Sequence, residues 1–348
     1  MATSIETSKQ ELLRDLLKQV SRLFYTTLVV VPADVRDQVS LAYLFARAAD
    51  TIADTELIDR PRRLDLLGQL KAQFVSDQLT WTQVREIQQA VGPIQQNSAE
   101  RILLERLEDC FKLLQTFSPD DRRRIQRLMT TLTQGMEMDL VVFPGKSSED
   151  LVALKTFDDL DRYTYYVAGC VGEFWTDLMC AHRQALASWK VREMSEVGVR
   201  FGKGLQLTNI VKDLAHDLQK GRCYVPTPML AEAGLKPCDL LNQENLSRFR
   251  PVLSQLVRMA TEYLDHGWMY AMAIPRHETR LRLSCMWPIL SAGESLKLVM
   301  NSPDLLNPAV RVKIPRSKVN QIIALTTGTF ACGYVGTAYW GRLRKQIV

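Results

Sequence analysis

The chain has 348 residues, of which 46% are hydrophobic and 24% charged, and its net charge is +5 at pH 7. This composition supplies a large core, and interspersed charges without a long cationic run argue against a nucleic-acid partner. The polar N-terminus lacks a signal-peptide core, and the seven cysteines form no CxxC pair, as expected of reduced thiols. We therefore expect a cytoplasmic protein that needs no protein partner.

Helical periodicity is the dominant pattern along the chain. Apolar residues recur at helical steps over residues 11–31, Pro32 ends that pattern, and Asp34 is predicted to N-cap a helix running to about Glu56. The sequence shows no alternation of apolar and polar residues typical of β-hairpins, no interdomain linker and no internal repeat. The pattern predicts an all-α protein in which residues 1–348 form a single domain. Further helices are predicted over residues 99–117, 120–142, 157–182, 187–219, 246–272, 281–300 and 316–345.

The C-terminal segment has two interpretations. Residues 322–341 contain no charged residue, and Arg342, Arg344 and Lys345 follow them. The length fits a membrane span, but several threonines and glycines make the segment a poor one. We expect the terminal helix, residues 316–345, to pack on the protein or to lie peripherally on a membrane surface. A true span is the alternative.

Two short segments each place a pair of aspartates four residues apart, Asp50 with Asp54 and Asp213 with Asp217. Residues at this spacing lie one above the other on a helix, where like charges cost about 0.2–0.5 kcal/mol. A cation between the pairs would remove that cost. Carboxylate oxygens suit a hard cation such as Mg²⁺, which usually arrives with a phosphate.

Each aspartate pair continues a polar stripe along its helix. Tyr43 and Arg47 precede the first pair at steps of three and four, and Gln206 and Asn209 precede the second. An ordinary amphipathic surface helix is the alternative interpretation of either stripe. The stripes carry amide, phenol and guanidinium groups instead of the usual surface Lys and Glu, which favours the lining of a polar cavity.

Two neighbouring segments strengthen the site hypothesis. A turn after the second stripe presents Arg222. Another predicted helix carries Tyr163 and Tyr166 together with Gly169 and Gly172, and small residues allow close approach to a backbone.

Five segments in order resemble the blocks of the squalene and phytoene synthase family, and the resemblance spans residues 21–319. It implies a single-domain isoprenoid synthase fold, with helices around a central cavity and the two aspartate motifs facing each other across it. Ala53 and His216 stand where the family often has acidic residues, which leaves the number of metals open. The five segments are residues 21–24 (SRLF), 43–54 with Tyr43, Arg47, Asp50 and Asp54, 135–140 (GMEMDL), 163–172 (YTYYVAGCVG) and 209–217 (NIVKDLAHD).

The resemblance also assigns roles to residues. It implies that the four aspartates act in catalysis as ligands of Mg²⁺, or of Mn²⁺ in its place, and that Tyr163, supported by Tyr166, handles a proton. Aromatic packing between helices is the alternative for Tyr163. The residues implied to bind the substrate diphosphate are Arg22, Tyr43, Arg47, Gln206, Asn209, Lys212 and Arg222.

The family has two branches that differ in their use of NADPH. One joins two farnesyl diphosphates and reduces the product to squalene, whereas the other stops at dehydrosqualene or phytoene without NADPH. Residues 312–319 resemble the basic loop that holds NADPH in the squalene branch, so Lys313 and Arg316, with Asn209, are the implied NADPH contacts. Incidental charge at a solvated helix start is the alternative.

We therefore favour the squalene branch, with farnesyl diphosphate as the substrate. An NADPH-independent dehydrosqualene or phytoene synthase is the alternative, and a non-catalytic helical assembly factor is a remote one.

Overall fold

The computed structural model describes residues 9–21, 25–76, 78–328 and 335–347. The chain forms two compact units, unit 1 (Met1–Val141 and Phe174–Gln184) and unit 2 (Val142–Glu173 and Ala185–Val348). The described residues are almost entirely helical, which confirms the predicted all-α class. The prediction that both units act as one domain stays a prediction.

The core of unit 1 is built around the helix that carries the first aspartate pair. Phe45 on that helix is fully buried, and its ring lies 5.0 Å from Phe74 and 4.7 Å from Phe111. Burying each such side chain contributes about 1.5–3 kcal/mol. The helices up to Val142 are α1 (Leu17–Ser21, after a π-helical turn at Glu11–Leu16), α2 (Tyr25–Val30), α3 (Ala33–Asp54), α4 (Arg60–Val75), α5 (Trp81–Val91), α6 (Ser98–Glu105), α7 (Leu107–Gln115) and α8 (Pro119–Val142).

The start of α3 differs from the prediction. Pro32, with φ −52° and ψ 143°, holds the N-cap position, so the prediction that Asp34 caps this helix is wrong. Asp34 lies in the first turn, where its carboxylate interacts favourably with the helix dipole and accepts a hydrogen bond from Arg183 at 2.7 Å. The helix ends at Asp54, earlier than predicted, and the last aspartate of the motif is therefore its final residue.

Unit 2 contains a short strand pair that the sequence did not indicate. Strands β1 (Val152–Ala153) and β2 (Arg222–Cys223) pair in parallel, with Val152 opposite Arg222. Gly221, at φ +77°, makes the turn into β2, a conformation that glycine adopts at little cost. From Phe157 onward the helices are α9 (Phe157–Thr164, followed by a π-helical turn at Tyr165–Gly169), α10 (Cys170–His182), α11 (Val191–Lys212), α12 (Leu214–Gln219), α13 (Thr227–Glu232), α14 (Leu246–Ala273), α15 (Thr279–Asn301), α16 (Arg316–Gly328) and α17 (Val335–Ile347).

Several predicted helices are divided in the structure. The predicted helix over residues 187–219 breaks at Asp213, between α11 and α12, and the one over 157–182 is interrupted by the π-helical turn. Likewise, the predicted helix over 99–117 is divided at Arg106. Of the one over 316–345, the structure describes α16 and α17, and residues 329–334 lie outside the described ranges. Apolar periodicity tolerates these local changes because the same face stays buried on both sides of each break.

Backbone-to-backbone packing holds α11 against the π-helical turn and the start of α10. A Cβ atom on Gly172 would lie 2.1 Å from the carbonyl oxygen of Gly198, and one on Gly202 would lie 2.3 Å from that of Ala168. Both distances are far inside van der Waals contact, so only glycine fits either position. This confirms the expectation that Gly172 permits a close backbone approach.

The terminal helix α17 is packed on unit 2. Its Trp340 side chain is buried, stacks on Trp268 at 6.0 Å and donates a hydrogen bond to Asp265 at 3.0 Å. Leu343 and Ile347 are buried as well. These contacts agree with the packed interpretation of the terminal segment. Among the residues described, no helix has the length and apolar character that crossing a membrane requires.

Candidate active site

The first polar stripe lies along α3 of unit 1 as the spacing predicts. Tyr43, Arg47 and Asp50 are partly exposed and Asp54 is exposed, whereas the intervening residues of the helix are mostly buried. The helix therefore presents one accessible polar edge while its other faces are packed. Exposure of this edge is what a binding role requires.

Arg47 connects this stripe to a second acidic residue. Its Nη1 atom donates to Asp50 at 2.5 Å and its Nη2 atom donates to Glu100, while the buried Nε atom has no hydrogen-bond partner among the described residues. Asn97, the N-cap of α6, also donates to Glu100 at 3.1 Å. An arginine with one buried donor unused is suited to bind a further anionic ligand. Sequence reasoning missed Glu100, which lies 53 residues away from Arg47.

Asp50 lies in a crowded negative environment. Burial of the carboxyl raises the pKa of Asp50 to about 6, even though 42% of the side chain is exposed. The negative charges of Asp54, Glu100 and Asp139 raise this pKa further, whereas the positive charge of Arg47 lowers it. A cation bound here would relieve the repulsion among these carboxylates. Asp139 belongs to the block at residues 135–140, but its contribution to this charge cluster could not be inferred from the sequence.

The second polar stripe lies in unit 2 and crosses the break between α11 and α12. Asp213 adopts φ −99° and ψ 7° at the break, but its amide still donates to Asn209 and its carbonyl accepts from Asp217, at 2.9 and 3.0 Å. These backbone bonds keep the two aspartates at helical spacing. Gln206 and Asn209 are joined by a weak side-chain contact of 3.5 Å.

Several cations lie near the second aspartate motif. Lys212 donates to Asp213 at 2.6 Å. Burial lowers the pKa of His216, and the positive charges of Lys220, Arg311 and Arg222 lower it further. The negative charge of Asp213 acts in the opposite direction. The motif thus combines carboxylates with several positive groups, an arrangement that suits a metal with an anionic ligand. Arg311 and Lys220 were missed by the sequence analysis, since neither belongs to a recognisable motif.

Tyr163 is buried in an aromatic stack. Its side chain is 7% exposed, and its ring lies 4.6 Å from Tyr224 at an interplanar angle of 22°. Tyr224 in turn packs edge-on against Phe143 at 5.0 Å. The ring is thus held in one orientation by its neighbours. Both the proton-handling role and the packing role are compatible with this position.

Tyr166 lies in the π-helical turn at Tyr165–Gly169 and is partly exposed. Such turns are rare and occur frequently at functional sites. Neighbouring Tyr165 donates to Glu173 at 3.0 Å, and burial together with that carboxylate raises the pKa of Tyr165 to about 12. Tyr165 is therefore poorly suited to carry a proton, whereas Tyr166 keeps its assigned supporting role as a prediction.

The basic segment, residues 312–319, contains three cations and presents two of them to solvent. Lys313 and Arg316 are exposed, whereas Lys318 lies 3.6 Å from Glu294 on α15. Arg311, which directly precedes this segment, helps to lower the pKa of His216 in the second aspartate motif. Two lysine or arginine side chains are thus available for an anionic ligand.

The donor set fits Mg²⁺ only with further ligands. Within the described ranges, no three acidic, histidine or cysteine side chains converge closely enough to hold a metal. Mg²⁺ usually binds through one or two carboxylates and completes its shell with water and substrate phosphates. The crowded carboxylates around Asp50 and the unused Nε atom of Arg47 fit such a metal–phosphate group. Arg22 lies outside the described residues.

Solved structures define the fold class. The structure of TcSQS in complex with the ligand BPH1237 matches this chain with a TM-score of 0.76 at 20% identity, covering 99% of this chain and 97% of the other. A likeness at that identity concerns the fold. The protein therefore has an all-α isoprenoid synthase fold, as the resemblance implied.

The family follows from the sequence comparisons. The family model described as squalene/phytoene synthase matches residues 17–318, so the chain belongs to the squalene/phytoene synthase family. The squalene synthase of Cyberlindnera jadinii is 26% identical, and the aligned part covers 88% of this chain and 66% of that relative. The chloroplastic phytoene synthase of Narcissus pseudonarcissus is 30% identical over 45% of this chain and 33% of the relative. The family prediction is confirmed.

Proposed function

We propose that this protein is a prenyltransferase of the squalene branch. In this proposal it joins two farnesyl diphosphates head to head to give presqualene diphosphate and then, with NADPH, converts that intermediate to squalene. The observation that carries the proposal is the pair of exposed cations Lys313 and Arg316 in the basic segment. Arg311, which directly precedes that segment, acts electrostatically on His216 in the second aspartate motif. The similarity to a squalene synthase along 88% of the chain supports the same branch.

The two polar stripes are proposed to bind the metal and the diphosphate. Asp50 and Asp54 on the first stripe would hold Mg²⁺ with a diphosphate, and Asp213 and Asp217 on the second stripe would do the same. When bound, Mg²⁺ neutralises the diphosphate and makes it a better leaving group. Arg47 would direct its unused Nε donor toward the diphosphate, and charge-assisted bonds of this type are the stronger ones.

Other residues would bind, orient and handle protons. Lys212 and Arg222 would contact the diphosphate, while Gln206 and Asn209 would orient the second substrate or the nucleotide. Tyr163, held by its stack on Tyr224, would keep its phenol group in place to relay the proton lost in the first half-reaction: its oxygen takes the substrate proton as its own O–H proton passes to the released diphosphate, which acts as the base. The buried stack also excludes water, which protects a carbocation from premature capture.

NADPH is proposed to bind at the basic segment. When bound, it supplies the hydride that reduces presqualene diphosphate. Lys313 and Arg316 are exposed and would pair with the nucleotide phosphates, for which Arg and Lys are the usual partners. Asn209, at the exposed side of α11, would donate a hydrogen bond to the same ligand.

We propose a cytoplasmic location with peripheral contact between α17 and a membrane. Arg342 and Lys345 are exposed on this helix, and basic residues near a helix face attract anionic lipid. The buried Trp340 keeps the helix on the protein, so the contact would be peripheral.

Product analysis tests the proposal. Pure protein incubated with farnesyl diphosphate and Mg²⁺ should form presqualene diphosphate, and squalene only when NADPH is added. Asp50→Asn and Asp213→Asn should abolish diphosphate release, whereas Asp120→Asn, which removes an exposed carboxylate paired with Arg123, should not. Persistent turnover in the first two variants would show that the metal assignment is wrong.

The same experiment separates the alternatives. Dehydrosqualene formed regardless of NADPH, or phytoene formed from geranylgeranyl diphosphate, would favour the NADPH-independent branch, which the Narcissus relative keeps open. A non-catalytic assembly factor would give no product and would not be stabilised against heat by Mg²⁺ with inorganic diphosphate.

A further inference from the structure

Glu294 is a buried carboxylate in the middle of α15, and the proposed mechanism does not use it. Its side chain is only 10% exposed, and an isolated charge at such a position is costly unless it is paired and hydrogen-bonded. Two other helices of unit 2 supply the partners. Lys318 on α16 places Nζ 3.6 Å from Oε1, and Tyr339 on α17 donates its hydroxyl to the same oxygen.

Further contacts fix both partner helices on α15. Trp287 donates to Thr326 at 2.9 Å within the buried interface with α16. Beside Glu294, a Cβ on Gly293 would lie 2.9 Å from the ring of Trp340, which shows how closely α17 approaches. Helix α16 is therefore attached to α15 through its first turn, at Lys318, and near its end, at Thr326.

The attachment at Lys318 lies next to the exposed cations. Lys318 follows Arg316 by two residues and Lys313 by five, and its amide donates to Pro315 at 2.9 Å. Holding Lys318 therefore holds the turn from which Arg316 projects. It also withdraws Lys318 from direct contact with a ligand, since its ammonium group already faces a carboxylate.

We propose that Glu294 is a positioning residue for the nicotinamide nucleotide, and that it couples the terminal helix α17 to the basic segment. This inference rests on the proposed use of NADPH. Glu294 holds Lys318 and Tyr339 together, and so fixes the start of α16 and keeps Lys313 and Arg316 in place for the phosphates. Ordering these long side chains before binding reduces the entropy lost when the nucleotide binds.

Two variants of the full-length protein remove the ion pair from either side. Glu294→Gln keeps an oxygen that accepts from Tyr339 but loses the charge, and Lys318→Met loses the ammonium group. Each should raise the Kd for NADPH roughly two- to thirtyfold, the range of mutations that act on a site indirectly, and the double variant should bind no more weakly than the singles. Presqualene diphosphate formation without NADPH should be unchanged. Arg342→Met, which removes an exposed cation of α17, is the control for loss of charge.

Hydrogen exchange supplies a readout that does not depend on NADPH. Amides in the first turns of α16 should exchange faster in Glu294→Gln and Lys318→Met than in the unchanged protein or in Arg342→Met, because the helix start is released. Unchanged exchange in both variants would overturn the positioning role. A general loss of protection throughout unit 2 would also overturn it, since it would indicate a purely structural residue.

The outcomes distinguish this inference from the proposed function. If Lys313→Ala and Arg316→Ala weaken NADPH binding but the Glu294 and Lys318 variants bind normally, the positioning role fails and the proposed function stands. If the unchanged protein does not bind NADPH, both fail together. Weaker binding in all four variants, with faster exchange only at the start of α16, supports both.

Discussion

Replacing Gly172 by alanine tests the backbone packing that holds the tyrosine segment. The new Cβ would lie 2.1 Å from the carbonyl oxygen of Gly198 and 2.7 Å from the amide nitrogen of Val199. Carbon–oxygen contacts are normally about 3.3 Å or longer, so α10 would have to move by roughly 1 Å. Both contacting atoms belong to the backbone, and no side-chain rotation can relieve the clash.

The size of the effect follows from two opposing terms. Overpacking typically costs about 1–3 kcal/mol, and a backbone clash belongs at the upper end of that range. Alanine in place of glycine inside a helix returns about 1 kcal/mol. We therefore expect Gly172→Ala to lower the free energy of unfolding by about 2 kcal/mol, and the melting temperature by ~2–4 °C for each kcal/mol.

Gly341→Ala is the matched control. Gly341 lies in α17 of the same unit, and among the described residues no atom beyond its chain neighbours and the adjacent backbone of its own helix comes within 4 Å of the position that its Cβ would take, so only the favourable helix term applies. Urea unfolding followed by circular dichroism should place the two alanine variants about 3 kcal/mol apart, the sum of that helix term and the overpacking cost. A difference below about 0.5 kcal/mol, the usual range of surface substitutions, would refute the packing argument.

A second variant on the same interface tests coupling. Gly202→Ala would clash with the carbonyl of Ala168 at 2.3 Å. Because either alanine separates the same helices, the double variant with Gly172→Ala should cost less than the sum of the two. Activity should fall as well, since the displaced turn carries Tyr166. Full additivity would indicate that the two clashes relax independently.

Three other predictions concern charged groups of unit 1. Burial opposes ionisation of Asp121, but hydrogen bonds, chiefly from His182, hold the pKa of this carboxyl below its usual value. The ionised carboxylate therefore stabilises the fold at neutral pH, and this contribution is lost as the pH falls through the lowered pKa. Asp121→Asn, at a side chain only 4% exposed, should cost about 3–5 kcal/mol in urea unfolding at pH 7. The raised pKa of Asp50, about 6, predicts that unfolding free energy declines as the pH rises from ~4 to ~6, a decline that Asp50→Asn should remove. Glu100→Gln should weaken the binding of Mg²⁺ with diphosphate a few-fold in calorimetry. Arg47, no longer shared with Glu100, would then pair more strongly with Asp50 and compete with the metal, and a partly exposed ion pair contributes ~0.2–1 kcal/mol. Unchanged binding would contradict this.

The sequence predicted the parts of the site that depend on helical periodicity. Tyr43, Arg47, Asp50 and Asp54 occupy one accessible edge of α3 because residues three and four apart share a face whatever the rest of the protein does. The same spacing predicted the second stripe, although its helix breaks at Asp213. Both inferences needed only local geometry and the order of motifs.

Partners distant in the chain could not be predicted in this way. Glu100 reaches Arg47 from 53 residues away, and Glu294 meets Lys318 through the packing of α16 on α15. Neither acidic residue lies in a motif, so its local sequence gives no sign of its partner. Only tertiary contacts distinguish them.

Local backbone irregularities escaped the periodicity analysis for a related reason. The break at Asp213 and the π-helical turn at Tyr165–Gly169 change the backbone within a single turn, while the apolar face on either side continues. Both irregularities fall on segments that carry proposed site residues. Such departures from regular helix persist only where surrounding packing stabilises them, and Gly172 and Gly202 provide that packing for the π-helical turn. The glycines therefore connect the fold to the site: by bringing α11 against the π-helical turn, they hold the second aspartate stripe and the tyrosine segment on adjoining elements of one unit.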